Sequence, residues 1–138
     1  MARNGSDDAT RRDLQEVDAI EGLLAYAQTR SRWSRAAVGS VREAVRRSRA
    51  LASADPGRHT PLLARSLRAA AWLMLKRGRP GEALPPAAEA VALTRPAGGA
   101  PLVVCLVCLG DVYRALRRYD EAAAAHREAE TTARADPG

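Results

Sequence analysis

Apolar side chains recur at three- and four-residue spacing along most of the chain, which is the pattern of helices that bury one face. The clearest example surrounds residue 117, where one apolar stripe precedes a short polar turn and a second stripe follows it. The two stripes consist of Leu106, Leu109, Gly110, Tyr113 and Leu116, and then of Ala122, Ala125, His126 and Ala129. A similar pair of stripes surrounds residues 77–80. The pattern therefore predicts a unit made of helix, tight turn and helix.

Proline and glycine interrupt the helical stretches at residues 55–61 and 95–101, so we expect chain breaks there. Thr60 is expected to cap a helix that Pro61 opens. We predict an all-α fold with no strand and six helices in three antiparallel pairs. The predicted helices cover residues 12–37, 41–54, 61–77, 81–95, 101–116 and 119–134, which gives units near 12–56, 61–96 and 101–135. Residues 1–11 are expected to be disordered or frayed.

A Glu-Ala signature returns at a fixed interval. Glu43-Ala44, Glu82-Ala83 and Glu121-Ala122 are spaced 39 residues apart, and a constant period of this size is typical of stacked structural repeats. Each glutamate is expected in the first turn of a second helix, where it interacts favourably with the helix dipole. The period places the first turn at Gly39-Ser40. One long bent helix over residues 12–54 is the alternative, because glycine in a helix costs only about 1 kcal/mol relative to alanine.

The segment Leu109-Gly110-Asp111-Val112-Tyr113, followed by Tyr119-Asp120-Glu121-Ala122 and Ala129, resembles the tetratricopeptide repeat family. The resemblance is good over residues 102–134, fair over 63–95 and poor over 24–56. It implies a short, right-handed α-solenoid of about three helix pairs. Small residues let helices approach closely, so Ala83 and Ala122 are expected to be buried. The 39-residue period exceeds the family's usual length of about 34, which implies longer helices or linkers.

In this family the first helix of each pair lines a concave groove that binds partner proteins. The resemblance assigns to this groove Tyr26 and Trp33, then Arg65, Arg68, Trp72 and Lys76, and finally Val104, Val107, Asp111 and Arg114. Two tryptophans spaced by the repeat period, with cations beside them, would suit an acidic peptide or helix with apolar side chains. The alternative is that both tryptophans only pack against a neighbouring helix.

Residues 102–109 are apolar on every face of a helix, and such a helix is normally buried all round. We expect a partner's helix, a second copy of the protein or the chain's own N-terminal stripe to cover it; the alternative is that the helix stays half exposed, since scattered surface hydrophobes are common. That stripe consists of Leu14, Val17, Ile20, Leu23 and Leu24. Two functions are therefore open: an adaptor that binds a peptide or helix of a partner protein, or a self-associating assembly or regulatory element that forms a homodimer within a larger bacterial complex.

The composition of the chain adds few restrictions on its fold and function. A hydrophobic share of 46%, mostly alanine and leucine, favours helix, and the longest apolar run is too short to cross a bilayer. No signal-peptide pattern opens the chain, so we expect a cytoplasmic protein. Nearly all cations are arginine, a bias typical of a high-GC bacterial genome. The net charge of +6 comes without a nucleic-acid motif, so specific nucleic-acid binding is not expected.

Catalytic motifs are missing from the sequence. Cys105 and Cys108 have no second cysteine pair, and His59 and His126 are the only histidines, so a zinc site would lack ligands. We expect both cysteines to be small core residues and His126 to be packed on the inner stripe of its helix. With no phosphate loop, nucleophile elbow or metal motif, the sequence predicts no enzyme, no cofactor and no metal site.

Overall fold

The computed structural model describes residues 5–135. Within them the chain forms six α-helices and no strand, which confirms the all-helical prediction. The helices are α1 (Gly5–Thr29), α2 (Arg35–Ala54), α3 (Pro56–Lys76), α4 (Pro80–Thr94), α5 (Gly99–Ala115) and α6 (Tyr119–Ala135). Of the segment expected to be frayed, residues 5–11 belong to α1 and residues 1–4 lie outside the described range. No helix in residues 5–135 has the length and apolar character needed to cross a membrane.

Each helix packs against the next one along the chain, and α3 also packs against α5. A single apolar core runs from Ala37 on α2 to Ala129 on α6. A smaller cluster joins Ile20 and Leu24 of α1 to Ala44 and Leu62. The main core therefore extends from α2 to α6, and the smaller cluster attaches α1 to α2 and α3.

The turns that follow α3 and α5 share one hydrogen-bond pattern. The backbone N–H of Arg79 donates to the Met74 carbonyl at 2.9 Å, and the N–H of Arg118 donates to the Tyr113 carbonyl at 2.9 Å. In each turn the preceding residue is left-handed, Gly78 at φ 74° and Arg117 at φ 61°. Both are helix ends of the Schellman type. The 39-residue period of the sequence therefore corresponds to a repeated structure in the last two helix pairs.

The first turn lies elsewhere than predicted. The predicted break at Gly39-Ser40 and the single long helix over 12–54 are both wrong, because α1 ends at Thr29 and α2 begins at Arg35. Serine side chains make this turn: Ser34 accepts from the Ala37 N–H at 3.2 Å, and Ser31 accepts from the Trp33 N–H at 3.2 Å. Such side-chain bonds compete with helix and cap its next start. Gly39 is exposed inside α2, where a glycine costs about 0.5–1 kcal/mol relative to alanine but does not end the helix.

The shifted turn changes the register of the first pair. Helix α2 begins 45 residues before α4, whereas α4 begins 39 residues before α6. Glu82 and Glu121 lie in the first turns of their helices, as predicted. The same prediction for Glu43 is wrong, since it lies two turns inside α2 and pairs with Arg46.

Helix α3 begins one turn earlier than predicted. Asp55 accepts a hydrogen bond from the Arg58 N–H at 3.3 Å, and Pro56 opens the helix. The expected cap by Thr60 is therefore wrong, and Pro61 lies inside the helix on its exposed side. The Asp-Pro pair is the better start signal, because it supplies both a capping carboxylate and the proline favoured at the first helical position.

Small residues make the contacts between paired helices. Ala83 and Ala122 are 0% and 5% exposed, as predicted. At Gly110 the fit is tightest, since a Cβ there would lie 2.5 Å from Nε2 of His126. This nitrogen also lies 3.1 Å from Oδ1 of Asp111, so the ring is held against α5. The prediction that His126 is a packed side chain is confirmed.

Candidate functional site

A cavity of about 420 Å³ opens between α1 and α3, beside the turn that joins α1 to α2. We call it the α1–α3 cavity. Its residues form an apolar wall and a polar rim. The wall contains Leu24, Ala27, Val41, Ala69, Trp72 and Leu73, and the rim contains Gln28, Arg30, Arg32, Arg65, Arg68 and Lys76.

Helical spacing on α3 explains half of this arrangement. Arg65, Arg68, Trp72 and Lys76 follow one another at three- and four-residue intervals, so they lie on one face of the helix. All four were predicted as groove residues, and all four line the cavity. Whether they form a partner-binding groove stays a prediction.

Trp72 has two environments. Its side chain is half-buried and packs against the main core, and it also lines the cavity. The packing hypothesis therefore describes one part of the surroundings of the ring, and the groove hypothesis describes the other part. Replacing Trp72 would therefore change both stability and the surface of the cavity.

The rim of the cavity is strongly basic. Arg65 forms an ion pair with Glu21 at 2.6 Å between Nη1 and Oε1. Within residues 5–135 no carboxylate pairs with the other four cations, Arg30, Arg32, Arg68 and Lys76. Of the residues that the structure describes, no carboxylate lines the cavity either, and clustered charge of one sign in a concave site focuses the local potential.

Trp33 does not occupy the place predicted for it. It lies in the turn between α1 and α2, is 64% exposed and does not line the cavity, so its equivalence to Trp72 is wrong. The physical reason is the shifted end of α1, which removes residue 33 from the helix. Tyr26 is also exposed and lies near the end of α1, where the Arg30 guanidinium stands 4.9 Å from its ring centroid.

Arg77 fastens this turn to the end of α3. Its Nη1 donates to the Arg32 carbonyl at 2.8 Å, and its guanidinium carbon lies 6.0 Å from the centroid of the Trp33 ring. The repeat pattern did not select Arg30, Arg32 or Arg77, because their contacts depend on the position of the turn. The mostly polar run at residues 28–35 is the signal that could have located this turn, and with it these contacts.

The groove residues predicted on α5 lie apart from the cavity. Val104 and Val107 are 41% and 37% exposed, so the apolar helix keeps an open face. Asp111 is engaged with His126, and Arg114 is exposed. The N-terminal stripe does not cover this face, because Ile20 and Leu24 pack against Ala44 and Leu62. That expectation is wrong, and the predicted groove is divided between two neighbouring surfaces.

The two cysteines lie on the buried side of α5. Cys105 and Cys108 are 3% and 1% exposed, as expected of small core residues. Burial raises the pKa of both thiols, and raises that of Cys108 to about 12. A thiol with such a pKa is a poor nucleophile at neutral pH.

Comparison with family models, curated proteins and solved structures gives no match to this chain. The resemblance to tetratricopeptide repeats therefore rests on the residues quoted above. Function has to be argued from the surfaces of the molecule itself.

Proposed function

We propose that the protein is a non-catalytic interaction module that binds a peptide or helix of a partner protein. In this proposal the six helices are three tetratricopeptide-like pairs in a short right-handed solenoid, and α1, α3 and α5 line its concave side. The observation that carries the proposal is the α1–α3 cavity, which is already open and has Trp72 on its wall. Preformed openings that combine apolar walls with polar groups are a common form of binding site.

The lining of the cavity favours binding over bond making. Among residues 5–135 it contains no carboxylate, histidine, cysteine, serine or threonine, and its ionisable groups are arginines and Lys76. Catalysis needs a nucleophile or base oriented by a second group, and this set supplies no such pair. Tryptophan and arginine are, in contrast, the residues most often found at the energetic centre of protein interfaces.

The exposed face of α5 extends the proposed surface. Val104 and Val107 lie on the helix that packs directly against α3, so a peptide leaving the cavity would meet apolar side chains next. Repeat proteins commonly bind elongated ligands across several units. A ligand spanning α3 and α5 is therefore the form that this surface fits best.

A peptide selection tests the proposal. Peptides selected from a random display library on the immobilised protein should bind the wild type, and Trp72→Ala should weaken them at least about thirtyfold in fluorescence anisotropy. Leu14→Ala, which removes a side chain that is 55% exposed outside the cavity, should leave the affinity unchanged. Melting curves of both variants define the temperature at which each is folded. Selected peptides that bind folded Trp72→Ala as tightly as wild type would contradict the proposal.

Self-association is the second candidate function, and the open apolar face at Val104 and Val107 favours it. Two such faces could cover each other in a symmetric dimer. Sedimentation equilibrium at micromolar concentration separates the candidates: a dimer that Val107→Glu dissociates supports assembly, and a monomer supports the peptide-binding module.

A further inference from the structure

The α1–α3 cavity differs from the rest of the helix interfaces in how its charges are balanced. Elsewhere, arginines that reach across to another helix meet a glutamate there: Arg47 meets Glu16, Arg49 meets Glu89 and Arg95 meets Glu128. At the cavity the only such pair in the described part of the chain is Arg65 with Glu21.

Four cations therefore remain around the opening without an ion pair inside the described range. Arg68 and Lys76 come from α3, and Arg30 and Arg32 come from the turn after α1. Cations held around one concave site repel one another, and an anion bound among them relieves this repulsion. The opening is thus suited to a negatively charged ligand.

The wall of the cavity restricts the ligand further. Its partly exposed apolar residues are Ala27, Ala69 and Trp72, whereas Leu24 and Leu73 reach the wall with only 7% and 9% of their surface exposed. An inorganic anion or a sugar-phosphate backbone would leave this surface without a partner. A ligand that has an apolar side chain next to its charge fills both parts of the site.

We infer, building on the proposed function, that the α1–α3 cavity binds an acidic peptide segment through its side-chain carboxylates, with a bulky apolar residue of the same segment against Trp72. Arginine forms paired hydrogen bonds with carboxylates, so Arg68 and Arg32 are the main contacts and Lys76 adds charge. The ligand is an internal segment, because the cations from Arg65 to Lys76 are spread over about three turns of α3 and a chain terminus would meet only part of them.

Arg77 acts in this site as a positioning residue. It does not line the cavity, yet its hydrogen bond to the Arg32 carbonyl and its place over Trp33 hold the turn against α3. Without this contact the turn is free to move, and Arg30 and Arg32 no longer face Arg68 across the opening. Arg77→Met should therefore weaken acidic ligands, and Arg77→Lys, which keeps one donor, should restore part of the affinity.

The experiment uses defined peptides with blocked ends. A rhodamine-labelled probe of the sequence Leu-Glu-Glu-Leu-Glu-Glu-Leu, acetylated and amidated, is compared by fluorescence anisotropy with the same peptide carrying glutamine for glutamate. We expect the acidic probe to bind at least about tenfold more tightly and to lose affinity as salt increases. The double variant Arg68→Gln/Lys76→Gln should lower its affinity at least about tenfold.

Two controls make the result specific to the cavity. The double variant Arg58→Gln/Arg127→Gln has the same net charge as the test variant but changes exposed residues outside the lining, so binding should be unchanged. A labelled single-stranded DNA should bind the wild type more weakly than the acidic peptide and should not depend on Arg77.

The inference is overturned if the glutamine peptide binds as tightly as the acidic one, if the control variant loses as much affinity as the test variant, or if DNA binds more tightly with the same dependence on Arg68 and Lys76. It also fails if neither designed peptide binds while library-selected neutral peptides bind through Trp72. In that last case the proposed function stands, because only the acidic ligand class has been excluded.

Discussion

The first and the third helix pairs are attached to the molecule by different interactions. Helix α5 buries most of its length in the core, including Leu106 at 1% exposure and Val112 at 0%. The described part of α1 buries only Ile20 and Leu24 among its hydrophobic residues, although it spans 25 residues. In place of a wide apolar face it has ion pairs to the next two helices, from Glu16 to Arg47 and from Glu21 to Arg65.

The two kinds of attachment contribute unequally to the stability of the chain. Buried apolar area is the larger contribution to stability, and exposed ion pairs contribute about 0–1 kcal/mol each. The carboxyl-terminal pairs are therefore the stable part, and α1 is the part most easily released. The candidate site lies between the stable part and the easily released part, since α1 and its following turn form one side of the α1–α3 cavity.

The largest expected effect comes from Ile20→Ala. The variant removes the main buried contact of α1, and truncation of a buried isoleucine typically costs about 2–5 kcal/mol in the free energy of unfolding. Urea denaturation measures this loss, and native-state hydrogen exchange should show faster exchange in α1 than in α5. Leu14→Ala on the same helix should change stability by no more than about 0.5 kcal/mol. Equal losses in the two variants would mean that α1 is not attached through Ile20.

A medium effect is expected at the α5–α6 contact. Gly110→Ala places a methyl group 2.5 Å from Nε2 of His126, so the ring has to move and its contact with Asp111 is strained. We expect a loss of about 1–3 kcal/mol in the free energy of unfolding. The second helix pair has Ala71 and Ala87 at the two equivalent positions, both buried.

The double variant Gly110→Ala/His126→Ala copies that second pair, and it checks the steric explanation. It should recover most of the stability lost by Gly110→Ala alone. A double-mutant cycle from urea denaturation gives the coupling between the two positions. Additive losses would show that the His126 ring is not what limits the size of the side chain at residue 110.

The smallest effect is expected at two glycines, one inside a helix and one in a turn. Gly39→Ala should stabilise the protein by about 0.5–1 kcal/mol, because Gly39 lies inside α2 with open space at its Cβ position. The matched change Gly78→Ala should destabilise it, since Gly78 has a positive φ of 74°. Thermal melting of the two variants gives the sign of each effect. A lower melting temperature for Gly39→Ala would mean that the first turn is at residue 39 after all.

The sequence predicted the second and third pairs well because their turns carry clear local signals. Gly78 and Pro80 end one helix and start the next, and the equivalent positions 117 and 119 follow from the period. The turn between α1 and α2 has neither glycine nor proline, and it is formed by serine side chains that also occur inside helices. The helical spacing on α3 brought four of the ten predicted groove residues to one cavity. The positions of Trp33, Arg30, Arg32 and Arg77 depend on the turn, so the repeat pattern could not predict them.

The buried cysteines give the third helix pair an internal reporter. With a pKa of about 12, the Cys108 thiol is ionised to only about one part in ten thousand at pH 8, and both sulfur atoms are shielded from reagents by the core. Labelling by a thiol reagent therefore has to wait until α5 separates from its neighbours. The rate of modification therefore measures how often the carboxyl-terminal end opens, and the measurement needs no change to the amino-acid sequence. A ligand bound across α3 and α5 should slow the modification.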